Sequence, residues 1–225
     1  MVLETLLPRE RKYAMKTSSE EETRAMYDQT AEGYAELMDS EIHLPIYAET
    51  LKRLSESIDD LPGYLLDTSC GSGHMLAMYR ERFDRDRPLL GIDLSPQMVA
   101  IAQSKLGPSG KVSLGDMRDL SALESESAAA VLSYFAVHHL NPEEVQAVLK
   151  EWHRVLALDG RLVVAAWEGT GTIDYGESSK LIALRYQSDQ LLSWAQAAGY
   201  RILRCVTEPV EEMPMDAIYF EAVKD

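Results

Sequence analysis

Only two cysteines, Cys70 and Cys205, occur in 225 residues. That is too few for a disulfide framework, and they do not form a cluster with metal-ligand spacing. A reducing cytoplasm is the expected setting, with no bound metal. Long apolar runs are also missing. No stretch approaches the 18 residues or so that argue for a membrane-spanning helix. The opening "MVLETLLPRERKYAMK" lacks the basic start and apolar core of a secretory signal. Positive charge is scarce: 22 Lys and Arg face 37 Asp and Glu, for a formal net charge of −15. Nucleic acids and anionic membranes require a basic face, so neither is expected as a main partner. The basic runs "PRERK" and "RERFDRDR" are short and interrupted by acids, as solvated faces are.

What is present is alternation. "SSEEETRAMYDQTAEGYAELMDSEI" opens with serines and a cluster of acids, as a helix N-terminus prefers. Tyr27, Ala31, Tyr34, Leu37 and Met38 then recur at helical spacing. A second helix is expected over "LPIYAETLKRLSESI", with Pro45 in its first turn. From Leu65 onward, short apolar strands ("YLLD", "PLLGID", "KVSLGD", "AAAVLSYFAV", "RLVVAAWE") alternate with helical stretches. The expected helix signals are Ser95, Asn141 and Ser188 as N-caps, and Gly107 and Gly199 as terminators. One helix is expected to run through "NPEEVQAVLKEWHRVLALDG". Strand–helix alternation of this length implies right-handed crossovers and a mainly parallel, doubly wound sheet. "YRILRCV" and "AIYFEAV" follow with no helix between them, so the last of seven strands is expected to be antiparallel. Residues 1–60 are expected to form an N-terminal helical lid and 61–225 a Rossmann-like domain, together one structural unit.

Doubly wound sheets bind ligands beyond the carboxyl ends of their strands. The first strand ends in Asp67-Thr68-Ser69-Cys70-Gly71-Ser72-Gly73, the second in Asp93 and the third in Asp116. Ser133, Tyr134 and Phe135 close the fourth. The glycine turn fails the dinucleotide pattern G-x-G-x-x-G, because Leu76 holds the last position. Asp93 lies 20 residues beyond Gly73, where a ribose-binding acid belongs. Asp67, at the mouth of the turn, suits a ligand with positive charge there and disfavours phosphate. A nucleoside joined to a cationic amino acid meets these demands: ribose on Asp93, base near Asp116, ammonium near the turn.

At this point the sequence resembles the class I S-adenosylmethionine-dependent methyltransferases of small-molecule type. Four segments in order carry the resemblance: "LLDTSCGSG", "LLGIDLSPQMVAIAQ", "VSLGDMRDL" and "AAVLSYFAVHHL" with the helix and strand after it. "MYDQTAEGY" is similar to a segment that many such enzymes place over the cofactor. The resemblance implies S-adenosylmethionine as cofactor. It assigns the site to Asp67, Thr68, Ser69, Gly71, Gly73, Asp93, Leu94, Met98, Asp116, Met117 and Ser133, with Tyr27 and Tyr34 above. In this reading Asp116 meets the adenine amino group and the Met117 backbone meets the ring. Ser69 stands where the family usually has glycine; the replacement works if its φ stays negative, and its hydroxyl then becomes a potential cofactor contact.

Catalytic candidates are His138 and His139, at the end of the fourth strand; their plainer reading is one packed, hydrogen-bonded histidine and one that caps the turn. Tyr13, His43, Tyr47, Trp167, Tyr175 and Tyr186 are candidates for the acceptor pocket. The glycine-rich "EGTGTIDYGESSKLIALR" is expected as a loop or small hairpin on one pocket wall. The expected activity is methyl transfer to a small-molecule nucleophile. Two rivals remain at this stage: a nicotinamide-dinucleotide oxidoreductase, and a cofactor-binding regulator without turnover.

Overall fold

The computed structural model describes residues 16–173, 175, 180–210 and 215–225; Tyr13 lies outside them. Helix α1 spans Glu20–Glu41 and opens with a capping box. The Ser19 hydroxyl accepts from the Glu22 amide, and the Glu22 carboxylate accepts from the Ser19 amide. Helix α2, Pro45–Ile58, starts on its proline, whose missing N–H costs nothing in a first turn. Strand and helix then alternate: β1 (Tyr64–Asp67), α3 (His74–Arg82), β2 (Leu89–Asp93), α4 (Pro96–Leu106), β3 (Lys111–Leu114), β4 (Ala128–Tyr134), α5 (Pro142–Val155), β5 (Leu156–Trp167) and α6 (Ser188–Ala197). The chain closes with β6 (Tyr200–Pro209) and β7 (Asp216–Lys224).

The seven strands lie in the order β3-β2-β1-β4-β5-β7-β6. Neighbours from β3 to β5 are parallel. β7 inserts antiparallel between β5 and β6, so the last strand runs against both of its neighbours. The direction of winding reverses between β1 and β4, and the crevice at that reversal opens at the carboxyl ends of the strands. Every residue of β4 is buried, as both faces of a central strand should be. Val131 enters a core with Val148 and Trp152 of α5 and Leu191 of α6. Ala130 and Leu132 enter the opposite core with α2, α3 and α4. Helix α1 belongs to neither cluster.

Two helix boundaries differ from the sequence reading. The α5 pattern was expected to continue to Gly160, but the helix stops at Val155 and Leu156 turns extended to begin β5. Leu156 pairs with Ala128 and is fully buried there, so strand pairing overrides the local helical preference. At α6 the N-cap is Gln187, not Ser188. The Ser188 amide is satisfied by the Glu168 carboxylate at 3.0 Å, a partner supplied by tertiary structure. Gly199 does follow the end of α6, at φ 103°.

Candidate active site

The turn after β1 is built by hydrogen bonds to its neighbouring strands. The Thr68 amide and hydroxyl both donate to the Leu132 carbonyl, and the Cys70 amide donates to the Ile92 carbonyl. Gly71 adopts φ 51°, in the left-handed region, and its amide donates to Asp93 Oδ2 at 2.8 Å. Gly73 is at φ 77°, and a Cβ there would lie 3.0 Å from that of Ala102; its role is close packing of α3 against α4. Asp93 Oδ1 accepts from the Ser95 amide, so both oxygens are oriented.

A cavity of about 290 Å³ sits on this turn. Thr68, Ser69 and Gly71 line one side, and Asp93, Leu94 and Met98 the next. Asp116, Met117 and Arg118 follow from the segment after β3, while Tyr27 and Tyr34 come from α1. Tyr134, Phe135 and His139 complete it from the end of β4. Ten of the thirteen expected cofactor residues thus line one space, and the other three do not. Asp67, 2% exposed, lies beneath the turn and accepts from the Ser69 amide at 3.2 Å. Gly73 serves packing, and Ser133 is fully buried. Ser69 keeps a negative φ; its hydroxyl is buried and has no partner among the described residues. Phe135, by contrast, holds φ 48°, a strained conformation for an aromatic residue at the cavity wall.

Electrostatics separate the acids. Burial, reinforced by Asp93, pushes the Asp67 carboxyl up to about 7, against the pull of the Ser69 amide. Burial also raises Asp93, opposed by amides of Ser95, Gly71 and Leu94. Asp116 is held in a fork by Arg118, whose guanidinium also reaches Glu144 at 2.9 Å and Glu20 at 2.8 Å.

Of the two histidines, only His139 lines the cavity. Its Nε2 is 2.8 Å from the Tyr27 hydroxyl, which joins α1 to the end of β4. Burial lowers its pKa to about 4, so the imidazole is neutral near pH 7. His138 is buried behind it, also neutral, with ring centroids 4.1 Å apart. The expected acceptor-pocket residues are scattered. Tyr186 is core, donating its hydroxyl to the Leu140 carbonyl. Tyr47 packs on His74 and Tyr134, Trp167 packs on Phe135, and His43 is exposed. Tyr175 is near enough to Tyr27 to raise its pKa, as Tyr34 does, although burial is the larger cause. The described ends of the 168–186 segment pair with each other at Thr172 and Leu184, and Ile182 exchanges hydrogen bonds with Ser18 just ahead of α1.

Sequence reasoning missed Arg118, Glu20, Glu144 and Thr23 as cavity residues. The "DMRDL" segment held a signal, a lone cation beside the acid expected to bind adenine. Its partners are 98 and 26 residues away in sequence and could not be paired by inspection.

The family described as "Methyltransferase domain" matches residues 65–160, from β1 into the start of β5. An uncharacterized methyltransferase of Schizosaccharomyces pombe is 33% identical over 155 residues, 65% of this chain and 56% of that protein. An uncharacterized methyltransferase of Bacillus subtilis is 29% identical over 150 residues, covering 64% of each. The chain thus spans between about half and two thirds of the length of these relatives. In fold it is similar to the 1,6-didemethyltoxoflavin-N1-methyltransferase of Burkholderia thailandensis, solved with its substrate and S-adenosylhomocysteine. There the TM-score is 0.69 at 17% identity, over 90% of this chain and 87% of that one. Over residues 65–160 and in its fold the chain is thus similar to methyltransferases that use S-adenosylmethionine.

The residues present fit that cofactor. Asp93 offers two oriented acceptors of the kind a ribose diol requires, and the Ser69 hydroxyl is a buried polar group with no partner among the described residues. The Met117 carbonyl is already taken by Trp152 Nε1 at 3.1 Å, which fixes the segment beside the expected purine. No helix among the described residues is long and apolar enough to cross a membrane.

Proposed function

We propose that this chain transfers the methyl group of S-adenosylmethionine to a small-molecule nucleophile by in-line displacement within the 290 Å³ cavity. The observation that carries the reading is the convergence of the glycine turn, Asp93 and Asp116 on one space, closed from above by α1 through Tyr27 and His139. Asp93 binds the ribose, Asp116 and the Met117 backbone bind adenine, and the turn over Asp67 receives the cationic methionine end. Tyr27 and Tyr34, whose rings meet edge-on at 6.1 Å, place aromatic faces where a sulfonium gains cation–π attraction.

The bound sulfonium supplies an already activated methyl carbon, so the protein's task is positioning and exclusion of water. Good positioning is worth roughly 7–11 kcal/mol. The Tyr27 hydroxyl, hydrogen-bonded to the neutral His139 imidazole, is a polar pair on the cavity wall that can orient an acceptor. Helix α1 covers the cavity, which favours small acceptors over macromolecules, and the net charge of −15 disfavours nucleic acid. The unpaired thiols Cys70 and Cys205 suit a reducing cytoplasm.

Calorimetry with S-adenosylhomocysteine and NADH tests the reading. Binding of the first and not the second is expected, because the cavity's guanidinium is already claimed by three carboxylates. NADH binding alone would overturn it. S-adenosylhomocysteine release across a panel of small amines, thiols and phenols then separates a transferase from a cofactor-binding regulator.

A further inference from the structure

Arg118 is a charged cavity residue that the cofactor assignments leave unused. It makes two simultaneous connections. Its Nε donates to both oxygens of Asp116, at 2.9 and 2.8 Å, and a terminal nitrogen joins the same carboxylate. Its other reach is to two helix N-termini. Glu144 is fixed for this contact: one oxygen accepts from Arg118 while the other accepts from the Asn141 amide in the capping box of α5. Glu20, in the first turn of α1, is the other partner.

The three acids gathered at this cavity edge would repel one another without the cation. A guanidinium can hold them because its donors form a rigid planar fork. Helix α1 gives this hub leverage. It is absent from both apolar cores, and polar contacts tether it along its length: Glu20 to Arg118, Tyr27 to His139, Asp28 to the Ser95 hydroxyl at 2.5 Å, and Asp39 to Lys105.

We propose that Arg118 is a positioning residue with two linked tasks: it locks the Asp116 carboxylate for recognition of the adenine amino group, and through Glu20 it fastens α1 over the bound nucleoside. The inference rests on the cofactor reading above and adds a specificity determinant to it. A purine with an amino group at C6 donates to the locked carboxylate. A purine with a carbonyl there turns acceptor against acceptor and is rejected.

The test compares S-adenosylhomocysteine with S-inosylhomocysteine, which differ at C6 and in the proton the oxo form carries on N1, by calorimetry and stopped-flow dissociation. The native protein is expected to prefer the adenosyl compound by about tenfold or more, as suits one hydrogen bond to a charged acceptor. In Arg118→Met the preference falls below about threefold, because the freed carboxylate no longer holds one orientation. Should that variant unfold, Arg118→Lys gives the same readout, since it keeps the charge and loses the fork. Glu20→Gln keeps the preference but releases S-adenosylhomocysteine several times faster. An unchanged preference in Arg118→Met or Arg118→Lys, no preference in the native protein, or an unchanged dissociation rate in Glu20→Gln overturns the proposal. Native protein that binds neither nucleoside would instead remove the cofactor reading itself.

Discussion

Asp67 carries a cost that its neighbours do not remove. It is a carboxyl buried under the turn, with one amide as its hydrogen-bond donor and Asp93 nearby. Its folded pKa of about 7 lies above its usual 3.8, so the folded protein binds the extra proton between those values. Stability is therefore lost as pH rises from about 4 to about 7, and above that range the cost is complete. Asp67→Asn keeps an acceptor for the Ser69 amide and removes the charge. Thermal melts should show the variant level with the native protein near pH 4 and more stable at pH 8, by on the order of a few kcal/mol. A native-like melt at pH 8 would show that the carboxylate is compensated after all. Asp67 was identifiable in the sequence as an acid at a strand end. Its burial was not, because that depends on β4 and α1 closing over it.

At the scale of elements, helix existence was largely written in the caps. Ser19, Ser95 and Asn141 each accept from an amide three residues on, as the sequence implied. Where a cap is supplied from elsewhere, as at Ser188, or where a strand edge competes for the chain, as at Leu156, local pattern misleads. Helix α1 bears directly on function, because it lies outside both large core clusters and supplies Tyr27 and Tyr34 to the cavity. Ser19→Ala removes half of its capping box and should cost about 1 kcal/mol of helix stability. Backbone amides 20–24 should then exchange faster with solvent, while those of β4 stay unchanged. Equal protection in the variant and the native protein would mean that tertiary contacts alone hold the start of α1.

The whole molecule places its site where the sheet changes winding direction. That much followed from strand–helix alternation, because a doubly wound sheet has its crevice at the strand ends. The acids at the ends of β1, β2 and β3 could be collected from sequence for the same reason. The pairings on the opposite side of the cavity could not. The Tyr27–His139 contact and the Arg118 cluster depend on how α1 folds back, contacts that span about half the chain. Candidate aromatics such as Tyr47 and Tyr186 proved to be core, because an aromatic on an amphipathic face reads alike in either role. Ligand binding should be felt by the whole fold, since cofactor would join β1, β2 and the β3 segment to α1. Thermal unfolding with S-adenosylhomocysteine at a hundredfold excess over its dissociation constant measures this. The native midpoint should rise by roughly 5–10 °C, from about 2.7 kcal/mol of linkage in a chain of this size. Asp93→Ala, which loses the ribose acceptors, should show almost none of that rise at the same concentration. No shift in the native protein, or equal shifts in both, would contradict the assignment of this crevice to S-adenosylmethionine.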